Sequence, residues 1–376
     1  MFSAESIAWV SLSFWGGLLV LPWLPWCTRE VLNASPGKTP SLTDLTVIIP
    51  ARNEADVISS TLEGLYRQSS DLKVILVDDN STDETSAIAA QSRLTRLRIV
   101  RGRPLPRGWS GKLWAQDQGM KFVDTPLVMM LDADIYLDDG ILRSLVKKKQ
   151  QENLNFVSLM ARPCLDRFWE RMLMPAFVYF FKLLYPFSLS NGAYRRFAAA
   201  AGGCIVMDTE IIPAIGGLEA MKTAIIDDCT LASKTKDLGY RTWIGLTLNV
   251  QSQRPYPNLW EIWNMIARTA YTQLFYSPLL LGLCTLIMGI MFVAPLLFSL
   301  FAGPIAASIS LLALAIMVSS YLPTLRFYDR NLVWVLSLPF IAVLYLAMTW
   351  TSAWRYWKGE TSRWKNRVYR NKSLDT

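Results

Sequence analysis

Histidine is absent from all 376 residues. That excludes Ser-His-Asp and Cys-His catalysis and every imidazole-ligated metal site. Acid and base chemistry must fall to carboxylates, Lys or Tyr. A bound metal must take oxygen ligands, which favours Mg²⁺ or Mn²⁺ over Zn²⁺. Cysteine is scarce. Cys27, Cys164, Cys204, Cys229 and Cys284 are scattered, odd in number and without a CxxC pair, so neither a zinc ribbon nor a disulfide framework is indicated. No GxGxxG and no GxxxxGK[ST] string occurs, which leaves dinucleotide and P-loop readings without support. Charged residues make up only 18%.

What is abundant is apolar: 52% hydrophobic residues, with 15 Trp. These residues are concentrated at the two ends. Ile7 to Trp26 carries no charge and is long enough to cross a bilayer. It lacks the basic start and small-residue cleavage site of a signal peptide, so it reads as an anchor. Pro278–Ala302, Pro304–Leu325 and Leu332–Trp354 are three further candidate spans, separated by short breaks. Arg29 behind the first span puts the middle region on the cytoplasmic side. Three later crossings then leave the tail outside, against the positive-inside rule, unless one segment is re-entrant or interfacial.

Much of the net charge of +8 comes from that tail, at Arg355, Lys358, Arg363, Lys365, Arg367, Arg370 and Lys372. The interleaved aromatics suit an anionic membrane surface better than nucleic acid, and a solvated tail is the plainer alternative. The expected organisation is an anchor over 1–28, an α/β catalytic domain over 43–252, an interfacial segment over 253–277, membrane helices over 278–354 and a basic tail over 355–376. Glu170 to Leu189, rich in Phe, Tyr, Leu and Met, reads as an interfacial helix or acceptor groove, with domain core as the alternative.

Between the apolar ends, strand-like and helix-like stretches alternate. Leu45–Pro50, Lys73–Asp78, Leu97–Arg101 and Pro126–Leu131 read as strands. Residues 55–68 and 82–93 read as helices. Such alternation implies a mostly parallel sheet with helices on both faces. Ligands then bind beyond the carboxyl ends of the strands. Asp78-Asp79 and Asp132-Ala-Asp134 both stand at such ends. Carboxylates at i and i+2 after an apolar strand can share one divalent cation bridging a diphosphate, although a lone DxD is most often solvated. One carboxylate of Asp78-Asp79 can accept from a base or ribose, with an Asx cap as the plain reading. Lys112, after Gly111, can meet a diphosphate. Asp227-Asp228 can raise one another's pKa and supply a base, or merely cap a helix. Gly202-Gly203 permits close backbone approach. Arg268 can reach donor phosphates from an interfacial segment.

The order of these elements resembles the family 2 glycosyltransferases of GT-A fold. Val47-Ile-Ile-Pro-Ala-Arg-Asn-Glu54, Val77-Asp-Asp-Asn-Ser-Thr-Asp83, Leu131-Asp-Ala-Asp134 and Asp227-Asp228 stand in the family's order over about residues 45–275. Gly108-Trp-Ser-Gly-Lys-Leu-Trp-Ala115, Pro175–Pro186, Ala200-Ala-Gly-Gly-Cys204 and Arg268–Leu274 are similar to the bacterial hopene-associated members. The resemblance implies nucleotide-sugar contacts at Pro50, Arg52, Glu54, Asp78, Asp79, Lys112, Asp132 and Arg268. It implies metal at Asp134 with Asp132, and a general base at Asp228 beside Asp227, which replaces the usual Glu. Gln-x-x-Arg-Trp is missing. Arg268 stands in a similar place without the Trp, which argues against processive polymer synthesis. The expectation is an inverting, Mg²⁺- or Mn²⁺-dependent transferase in the bacterial inner membrane, facing the cytoplasm. It would move sugar from a UDP-sugar to a hopanoid or other isoprenoid or glycolipid acceptor. The rival readings are a metal-dependent nucleotidyl or phosphosugar transferase and an inactive membrane assembly protein.

Overall fold

The computed structural model describes residues 3–34, 41–364 and 367–370. The chain divides into two compact units, one of residues 29–164 and 187–255, the other of 1–28, 165–186 and 256–376.

In the first unit, eight strands form one sheet: β1 (Leu45–Ala51), β2 (Lys73–Asp78), β3 (Leu97–Arg101), β4 (Leu127–Leu131), β5 (Ile135–Leu137), β6 (Phe156–Arg162), β7 (Cys204–Asp208) and β8 (Thr242–Ser252). Their order is β3-β2-β1-β4-β7-β6-β8-β5. The pairs β2–β3, β1–β2, β1–β4 and β6–β8 are parallel. β7 runs antiparallel between β4 and β6, and β5 is antiparallel on β8. Every residue of β1 is buried, as expected where helices cover both faces of a sheet.

The alternation of strand side chains sorts two cores. Val47, Ile49, Met129 and Leu131 pack with Ile58, Leu62, Leu65 and Leu142 from the helices Ile58–Gln68 and Ile141–Gln151. Ile48, Val128 and Met130 point the other way, onto Leu113, Leu231 and Ala232 from the helices Gly111–Met120 and Asp227–Asp237.

Two helices are shorter than the sequence pattern suggests. The first begins at Ile58 rather than at residue 55. Glu54 and Ala55 donate their N–H groups to Thr85 Oγ1 at 2.9 Å and Asp83 Oδ2 at 3.1 Å, which holds that stretch in a turn. The second spans only Thr85–Ala89, because Asp78, Asn53 and Asp83 occupy the preceding N–H groups. Local side-chain bonds of this kind compete with helix formation.

The second unit is helical. Pro278–Phe301, Pro304–Phe327 and Leu332–Trp357 are long and apolar enough to cross a membrane. Leu279 (80% exposed) and Phe301 (82%) show how apolar the outward faces are. That composition suits lipid better than water. The N-terminal helix covers Ala4–Val20 and stops short of Trp26, because Pro22 disfavours helical backbone in the residue before it. A five-residue π turn, Gly289–Val293, interrupts the first of the long segments, and Trp15 Nε1 donates to the Met291 carbonyl there at 2.8 Å.

Phe168–Leu184 is a helix of this unit, running through Pro175. Tyr179 hydroxyl bonds Ser320 Oγ at 2.6 Å, and Tyr345 hydroxyl donates to the Leu173 carbonyl at 2.9 Å. Glu170 is fully buried and accepts the N–H groups of Asp166, Arg167 and Tyr256. In the helix Leu259–Ala267, Trp260 stacks on Trp263. Arg355 donates to Asn264 at 2.6 Å. Of the basic tail residues, Lys365 and Lys372 lie outside the described residues.

Candidate active site

Three chain segments meet beside β4. Lys112 is the second residue of its helix, whose N-cap Ser110 accepts the N–H of Leu113 at 3.3 Å. Its Nζ lies 2.7 Å from Asp132 Oδ1 and 3.9 Å from Asp227 Oδ2. Asp132 follows β4 directly, and its N–H donates to the Gly203 carbonyl at 3.1 Å. Asp227 and Asp228 open the helix Asp227–Asp237, where the positive end of the helix dipole favours carboxylates. Gly202 is the spacer. A Cβ built there would stand 3.1 Å from Asp228 Oδ2 and 3.2 Å from Lys112 Nζ, so both side chains use the space that glycine leaves. A small open cleft lies over these groups, with Leu218 and Met221 supplying apolar wall.

Crowding carboxylates into a half-buried place changes how they titrate. Burial and then the charge of Asp227 push the Asp228 carboxyl up to about 6, against the pull of Lys112 and the N–H of Cys229. Burial raises Asp132 as well, opposed by Lys112. Burial alone would lower the Lys112 ammonium, but Asp132, Asp227 and Asp228 together carry it above the ordinary lysine value. The cluster therefore holds a permanent cation beside a carboxyl that can exchange a proton near neutral pH.

A second group stands at the ends of β1 and β2. Asp78 Oδ1 accepts the N–H of Ser81 at 2.8 Å, and Oδ2 accepts the Ser86 hydroxyl. This carboxylate works as an Asx-type cap of the turn that follows. Asp79 is fully buried, and Arg52 donates to its carbonyl and to that of Asn80 at 3.2 Å. Asn53 and Asn80 adopt left-handed backbone, at φ 51° and 54°, where Asn is tolerated. Pro50 is paired with Val77 inside the sheet.

Glu54 and Asp134 are joined by Arg254, a residue the sequence pattern did not single out. Its Nη2 donates to both oxygens of Glu54 at 2.9 Å, and its Nε to Asp134 Oδ2 at 2.8 Å. The available signal was positional: a charged residue two places beyond the strand run Thr242–Ser252, at the sheet edge where ligands bind. Arg268 belongs to the helical unit, as the C-cap residue of Leu259–Ala267.

Among the described residues, no third Asp, Glu or Cys completes a ligand group with Asp132 and Asp134. Two hard carboxylates at a strand end suit a cation that keeps water or phosphate oxygens for its other positions, as Mg²⁺ and Mn²⁺ do.

Residues 46–216 match the family model described as Glycosyl transferase family 2. A 128-residue stretch is 32% identical to "4,4'-diaponeurosporenoate glycosyltransferase" of Staphylococcus aureus strains MRSA252 and USA300, covering 34% of this chain. The match spans about a third, 34%, of the length of those relatives. A solved mannosyltransferase from Pyrobaculum calidifontis, in complex with GDP-Man and Mn²⁺, is similar over 95% of this chain and 100% of that one. Its TM-score is 0.55 at 19% identity, which speaks for the fold alone. The segment that carries β1 to β7 is a family 2 glycosyltransferase domain, built on the GT-A fold.

Proposed function

We propose that this chain is an inverting glycosyltransferase that moves a sugar from a nucleoside-diphosphate sugar to a lipid acceptor dissolved in the membrane. The observation that carries the reading is the convergence of Lys112, Asp132, Asp227 and Asp228 on one cleft, with Asp228 poised near pH 6. Lys112 would meet the diphosphate at this cleft. The acceptor hydroxyl would attack the anomeric carbon while Asp228 takes its proton. The bond from the anomeric carbon to the diphosphate breaks as the new one forms, and the configuration inverts. A divalent cation held by Asp134 and Asp132 would supply neutralisation of the leaving diphosphate. Arg52, Glu54, Asp78 and Asp79 are proposed for the nucleotide side, and Arg268 for the donor phosphates.

Three long apolar segments support an acceptor that lives in lipid. The Staphylococcus relatives are named for an acceptor, 4,4'-diaponeurosporenoate, and we extend from that name only the idea of a non-carbohydrate acceptor. A hopanoid or other isoprenoid lipid and a UDP-sugar are the specific choices to test. The domain would face the cytoplasm of a bacterial inner membrane. Replacing Asp228 by Asn should lower transfer by roughly 10²–10⁴-fold while donor binding stays within a few-fold. Near-normal turnover in that variant would remove Asp228 as the base. Lipid mass spectrometry of a deletion strain names sugar and acceptor together through the missing glycolipid.

A further inference from the structure

Arg254 is bonded to Oδ2 of Asp134, the carboxylate proposed above to hold a divalent cation. Its guanidinium is shared between Asp134 from the end of β4 and Glu54 from the end of β1, with all three contacts at 2.8–2.9 Å. The acidic partners are well covered, with side chains 16% and 10% exposed, while Arg254 is 38% exposed. The backbone fixes its approach: Ser252 is paired with Ile135, and Gln253 N–H donates to the Asp134 carbonyl at 2.7 Å. An arginine keeps its charge at every accessible pH. The pair is therefore not broken by loss of the arginine's charge.

We propose that Arg254 is the resident counter-cation of Asp134, which a divalent metal must displace in order to bind. This rests on the sugar-transfer reading of the site. In that exchange the Nε contact to Asp134 is lost, while Nη2 can stay on Glu54, so the arginine swings without leaving the site. The cost of the exchange sets the metal affinity. Without a metal the arginine keeps two close carboxylates from repelling one another, a repulsion that grows as water is excluded. The device makes the site self-neutralising when empty.

The test is Mn²⁺ binding to the full chain in detergent, with MnCl₂ alone and free Mn²⁺ read by electron paramagnetic resonance. Arg254→Gln should bind Mn²⁺ about tenfold more tightly than the unaltered protein, because the competitor is gone. The double variant Arg254→Gln with Asp134→Asn should lose that gain, which a merely structural arginine would not produce. A folded Arg254→Gln protein with unchanged or weaker Mn²⁺ binding overturns the proposal. Should that variant not fold, a structure of the unaltered protein with Mn²⁺ decides: Mn²⁺ on Asp134 with the Arg254 contact broken supports the exchange, and an intact contact overturns it. The sugar-transfer reading fails separately, through no release of UDP or GDP from their sugar conjugates by the unaltered protein, whatever the Mn²⁺ titration gives.

Discussion

Asp228 owes its character to burial and two charged neighbours. Burial penalises its charge, Asp227 repels it, and Lys112 attracts it, with the first two prevailing. A general base must be deprotonated to act, so the sign follows directly. Transfer should be full above the Asp228 pKa of about 6 and fall about tenfold per pH unit below it. Replacing Asp227 by Asn removes the like charge and should shift that acidic limb to lower pH. A pH–rate profile at saturating donor checks both statements, and an unmoved limb in the Asp227→Asn protein would contradict the assignment. At this scale the sequence was readable where a motif carried its own chemistry. Asp132, Asp134, Asp227 and Asp228 announced themselves as acidic pairs at the ends of apolar runs. Arg254 did not, because its meaning depends on Glu54, two hundred residues earlier in the chain. For Asp78 the Asx cap, the plainer of the two sequence readings, is what its bonds to Ser81 and Ser86 form.

At the scale of elements, the parallel strands were the legible part. Apolar runs closed by Pro or Asp mark β1, β2 and β4. The antiparallel insertion of β7 between β4 and β6 was not legible, because strand order is a tertiary property. Helix starts were blurred where side chains from a distant turn took the N–H groups. One element contact is close enough to predict from. The helix Ile58–Gln68 rests on β5 through Gly64, where an added Cβ would meet Leu137 N at 2.9 Å, Tyr136 Cδ2 at 3.1 Å and Leu137 O at 3.2 Å. Two of those atoms are backbone of a paired strand and cannot turn away. Gly64→Ala should therefore destabilise the protein by about 1–3 kcal/mol. Thermal unfolding followed by circular dichroism measures it, and an unchanged midpoint would show that the helix slides freely.

Across the whole molecule, the three long apolar segments could be read from sequence, their ends shifting by a few residues at most. The fate of Phe168–Leu184 could not. Its aromatic richness and interrupting prolines fit several environments, and only its partners decide among them. Those partners, Ser320 and Tyr345, belong to the far end of the chain. The two units are thus interleaved, each assembled from separated stretches. Residues 29–255 expressed alone should contain the sheet and yet aggregate, because the apolar helix has lost the groups it packs on. The same piece with residues 165–186 replaced by a short Gly/Ser linker should be markedly more soluble, as sedimentation after lysis would show.

This interleaving also governs how the protein is made. Tyr179 leaves the ribosome 141 residues before Ser320, the group its hydroxyl is bonded to in the finished protein. Throughout that interval the nascent helix is without the groups it packs on. The order of synthesis therefore leaves an apolar surface waiting for partners that are made last.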